Sequence, residues 1–109
     1  MAEQTLMQPR CYRANLAITQ FNRQIGNEIY LLDLDHAGAN IEAPFPLSPD
    51  YHVEFSFKVP GVPKEIIASG RVLWKQPLGT LPAKYHLRVQ FYLPRWDLER
   101  MLENSNFFP

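Results

Sequence analysis

Cysteine is nearly absent: Cys11 is the only one in the 109 residues. A single thiol makes no internal disulfide, so a reducing, cytoplasmic setting is the expectation. Long apolar runs are missing as well. No stretch approaches the ~20 residues that a membrane-spanning helix needs, and the opening MAEQTLMQPR lacks the apolar centre of a signal peptide. Membrane insertion is therefore not expected. Charge of either sign is not in excess, with 11 basic and 11 acidic side chains and a formal net charge of zero. A nonspecific binder of nucleic-acid polymers draws its affinity from a basic face, so that class is excluded. Any anionic ligand has to be held by a local cluster. Gly-rich phosphate loops, GxSxG and HExxH are all lacking. No enzyme and no bound cofactor or metal is expected.

What is present is an ordinary globular composition, 46% hydrophobic and 20% charged, enough for one small core and one domain. Residues 1–9 carry no periodicity and read as a mobile tail, with the domain running over 10–109. Leu16–Phe21 alternates as a strand, and Asn22–Asn27 reads as a loop around a positive-φ Gly26. Ile29–Asp35 is a second strand, and Gly38–Ala43 a third. Pro44, Pro46 and Pro49 then forbid ladder pairing. Tyr51–Val59 carries the cleanest signal, with Val53, Phe55, Phe57 and Val59 alternating against His52, Glu54, Ser56 and Lys58. Ile66–Lys75 follows, with Ala68, Gly70, Val72 and Trp74 assigned to one face. Pro77–Pro82 reads as a loop and Tyr85–Tyr92 as the last strand, with Leu87, Val89 and Phe91 inward. The period changes at Pro94–Asn104, where Leu98, Met101 and Leu102 share a helical face. The pattern predicts an all-β domain, a small antiparallel barrel or sandwich of about six strands with its β part ending near Leu93. One C-terminal helix then caps an open end.

The stretch Ile29–Ile41 stands out chemically. A period-2 strand puts Asp33 and Asp35 on one face and Leu32 and Leu34 on the other, and Gly38 closes the turn. A calcium loop is excluded, because Pro44 holds the position of the required bidentate glutamate. His36, His52 and His86 are too far apart for ligand spacing and read as surface side chains, although His36 lies inside the turn. Cys11 sits between Arg10 and Arg13, a setting that lowers a thiol pKa, but has no base partner. Trp74, Phe55, Phe57 and Phe91 read as core rather than as a platform for stacked bases. Phe107-Phe108 is a candidate docking patch.

Asp33-Leu-Asp-His-Ala-Gly38-Ala39, then Gly70-Arg-Val-Leu-Trp74, then Leu87-Arg-Val-Gln-Phe91 together resemble the PilZ domain over roughly Gln8 to Leu102. The resemblance implies a six-stranded antiparallel β-barrel of the split-barrel type with a C-terminal helix. It also implies a regulatory adaptor for the bacterial messenger cyclic di-GMP that acts through a protein partner. Family members hold the nucleotide with RxxxR in a flexible arm and (D/N)xSxxG at a strand turn. The matching residues here are Arg10, Arg13, Asp33, Asp35 and Gly38, with His36 as a further candidate. Both motifs depart from the family pattern. Pro9 stands where the first motif arginine belongs, and Arg10 falls on the neighbouring basic position. Asp35 replaces the serine. An arginine fork pairs two phosphate oxygens or reads O6 and N7 of guanine, so one lost contact costs ~1–3 kcal/mol. Weakened affinity is the expectation. Asp35 has three readings: accepting from a guanine edge, repelling a phosphate, or acting locally by capping its own turn or pairing with Arg13.

Overall fold

A computed structural model describes residues 11–25, 28–80 and 83–105. The chain forms β1 (Tyr12–Phe21), β2 (Gln24–Ile25), β3 (Tyr30–Leu34), β4 (Gly38–Ala43), β5 (His52–Phe57), β6 (Ile66–Thr80), β7 (Ala83–Phe91) and α1 (Trp96–Asn104). All the pairings are antiparallel, in the order β2-β1-β3-β4-β7-β6-β5, and β5 returns to β1. The sheet is ring-like: six strands close on one another, and the short β2 is appended to β1.

Alternation drives the closure. Leu31, Ile41, Phe57, Val72, Leu87 and Val89 are fully buried inside the ring, and burying each such side chain is worth ~1.5–3 kcal/mol. Leu98 and Leu102, one helical turn apart, bury into the same core and seat α1 on it. Met101 does not share that face and stays exposed. The helix begins at Trp96 rather than at Pro94, with Arg95 as its N-cap.

Four more expectations need correction. The 77–82 loop is the end of a long hairpin: β6 runs 15 residues to Thr80 and pairs with β7 as far as Thr80↔Ala83. A register shift between Val72 and Trp74 turns Trp74 outward, 41% exposed, while Phe55, Phe57 and Phe91 are core. A second shift, between Leu31 and Asp33, puts Leu31 and Leu34 inside and leaves Leu32 half-buried. The β1–β2 connection is a two-residue turn at Asn22-Arg23, both at positive φ (51° and 69°), the type I′ geometry that matches strand twist. Gly26, Arg10 and Phe107-Phe108 lie outside the described residues.

Candidate functional site

Strand register assembles a row of side chains from five strands. Arg13 stands opposite Asp33, Asp33 opposite Asn40, Asn40 opposite Arg88, and Arg88 opposite Trp74. Their neighbours Tyr12, Leu34, Ala39, Leu87 and Val89 point into the core, so alternation sends the row to the outer face. One step along the strands, Gly38, Gln90, Arg71 and His52 form a second row. The outer face of the ring is therefore polar here, with guanidinium groups from β1, β7 and β6.

The Asp35–Gly38 turn joins β3 to β4 beside the middle of the first row. The Asp35 Oδ1 accepts from the amides of Ala37 (2.7 Å) and Gly38 (2.9 Å), and the Asp35 amide donates to the Gly38 carbonyl. Among the three readings of Asp35, the turn-capping one holds, but its second oxygen faces Arg88 Nη2 at 3.5 Å rather than Arg13. Asp33 Oδ1 accepts from Asn40 Nδ2 at 2.7 Å. Asn40 Oδ1 is buried with no partner among the described residues.

Gly38 is required by space. A Cβ there would lie 2.1 Å from the Val89 carbonyl oxygen and 3.3 Å from Arg88 Nη2, so the guanidinium rests where a side chain would otherwise stand. Gly70, on the other flank of β7, meets the Gln90 carbonyl oxygen in the same way.

His36 is not a free surface histidine. Its amide and ring Nδ1 both reach Glu99 Oε2, at 3.1 and 3.0 Å, and its ring stacks on Trp96. The Arg95 amide donates to the His36 carbonyl, and the Tyr12 hydroxyl donates to the Glu99 carbonyl. The turn, β1 and α1 are thus joined. His86 is half-buried against Trp74, with Nε2 unpartnered among the described residues. His52 alone of the three is exposed, stacked on Tyr92 with its Nδ1 2.7 Å from the hydroxyl.

The lowered thiol pKa read from the flanking arginines is not what the described surroundings of Cys11 produce. Partial burial, followed by the negative fields of Asp33 and Asp35, raises the Cys11 pKa, and Arg13 and Arg88 only partly offset them. Among the described residues no cluster of three His, Cys, Asp or Glu side chains is arranged for a metal, and no helix is long and apolar enough to cross a membrane.

Of the six residues singled out from sequence, Arg13, Asp33, Asp35 and Gly38 converge on one face, and His36 is tied to the helix. Arg88 and Asn40 were missed, and Trp74 was read as core though it is exposed. Alternation alone marks Asn40 and Arg88 as outward, but nothing local says that β4 and β7 are neighbours. Comparison with protein-family models, with curated proteins and with solved structures finds no match for this chain.

Proposed function

We propose that the ring is a PilZ-like barrel and the protein a regulatory adaptor that receives cyclic di-GMP with weakened affinity and signals through a protein partner. One observation carries the reading. Arg13 and Arg88 flank Asp33 and Asn40 in a single row beside the Asp35–Gly38 turn. Two cationic forks with a glycine-floored turn between them suit a ligand of two phosphates and two purines. Arg13 has no ion-pair partner among the described residues, so it is available to a phosphate. Trp74, partly exposed at the far end of the row and in edge contact with His86, adds an aromatic ring to the same face.

A specific observation favours a second reading, a PilZ-fold module that works by protein contact alone. Asp35 Oδ1 is used by its own turn, and His36 by Glu99 and Trp96. Those residues contribute to folding whether or not a nucleotide binds. Calorimetric titration of the full chain with cyclic di-GMP separates the two. Saturable heat and an upward thermal shift are expected, and Arg13→Ala should weaken both sharply. A flat titration with no thermal shift at high ligand ends the nucleotide reading and leaves the protein-contact one.

A further inference from the structure

We propose that Arg88 and Asp35 act together as a guanine-reading pair, with Arg88 supplying the guanidinium that the N-terminal arm lacks at Pro9. This inference rests on the cyclic di-GMP reading above. Arg88 leaves β7 between Leu87 and Val89, both fully buried, so its side chain lies on the outer face. It is also confined: its side chain is 19% exposed and packs over Gly38. Asp35 is fixed by the two turn amides at Oδ1, which leaves Oδ2 facing the guanidinium.

The spacing between them decides what the pair can do. At 3.5 Å the contact is an ion pair, longer than the ~2.7–2.9 Å of a charge-assisted hydrogen bond. Neither group has its hydrogen-bonding capacity consumed by the other. A fixed donor fork therefore stands beside a fixed anionic acceptor. The matching partner is a planar edge that offers acceptors next to donors. Guanine does so, with O6 and N7 for the arginine and N1–H and N2–H for the carboxylate. Adenine offers the arginine and the carboxylate fewer groups, since it lacks O6 and the N2 amine. A phosphate is disfavoured here, because the Asp35 charge would repel it. Phosphate binding falls instead to the exposed Arg13.

The two arginines thus have separable roles. Arg13 sets affinity for any cyclic dinucleotide, and Arg88 with Asp35 sets the preference for guanine. The test is calorimetric titration of the full chain with cyclic di-GMP and with cyclic di-AMP, on the native protein and on R13A, R88A, R88K and D35N, with thermal melts confirming that each variant folds. The native protein is expected to favour the guanine ligand by about tenfold or more. R88A and D35N should bring that ratio close to one, while R13A weakens both ligands and leaves the ratio in place. R88K keeps the charge but loses the fork, so it should also lose selectivity; it decides the matter should R88A fail to fold. Undiminished selectivity in R88A or R88K overturns the pair while the cyclic di-GMP reading stands. No binding of either dinucleotide by the native protein overturns both.

Discussion

His36 and Trp96 lie face to face, with ring centroids 3.8 Å apart and planes 9° from parallel. The same histidine is held from the side by Glu99, so a residue of the β3–β4 turn is clamped between two residues of α1. The helix is anchored twice, by Leu98 and Leu102 in the core and by this clamp at the rim.

Removing the clamp should cost stability without dismantling the ring. Glu99→Ala leaves the His36 amide and ring nitrogen without their acceptor in a half-buried setting. The expected loss is ~1–3 kcal/mol, read as a lower midpoint in urea. An unchanged midpoint would show that water replaces the carboxylate at no cost.

Gly38→Ala should be more damaging than its size suggests. The new Cβ meets a backbone carbonyl of β7, not the end of a flexible chain. The β4–β7 pairing has to shift, at ~1–3 kcal/mol or more. Equilibrium unfolding measures this, and a change within error would contradict the close approach.

Arg23→Gly runs in the opposite direction. Arg23 holds φ 69° in the β1–β2 turn, a region that costs a side-chain-bearing residue ~1–2 kcal/mol. Its contact with Glu54 is 4.0 Å long and solvent-exposed, so its loss matters little. Part of the relief is offset by the extra chain entropy of glycine, leaving a gain of ~0.5–1 kcal/mol. A fall in melting temperature would refute this account of the turn.

The legibility of the chain follows from these same residues. Strands with one wet face announce themselves by alternation, so β5 and β7 were readable to within a residue or two, and the Leu98–Leu102 spacing marked the helix. Register shifts are silent in sequence. One re-aimed Trp74, and another left Leu32 half-buried. The Pro77–Pro82 stretch read as a loop because proline usually interrupts pairing, yet β6 and β7 stay paired across it. The site was legible where its residues are contiguous, at Asp33–Gly38. It was illegible where it depends on β7 lying beside β4, which is why Arg88 escaped notice.

Cys11 offers a readout of the field at that site. A raised pKa means less thiolate at a given pH, so alkylation by iodoacetamide at pH 8 should be slower than for a free cysteine. The rate should climb as pH passes above the thiol's ordinary value. Asp33→Asn removes one negative neighbour, lowers the pKa and should speed the reaction. Arg88→Ala removes a positive one and should slow it further. A rate equal to that of free cysteine in all three proteins would show that the carboxylates do not reach the thiol.

The β1–β5 seam that closes the ring carries a kinetic consequence. The first strand finds one of its partners only after three others have intervened, and Gly38 has to wait for Gln90. Most of the contacts join residues distant in sequence, so chain closure entropy is spent before the core rewards it. Refolding is expected to be slow for a chain of this size. Until the seam is made, β1 exposes an unpaired edge, and that interval is when the protein is most open to association with its own copies.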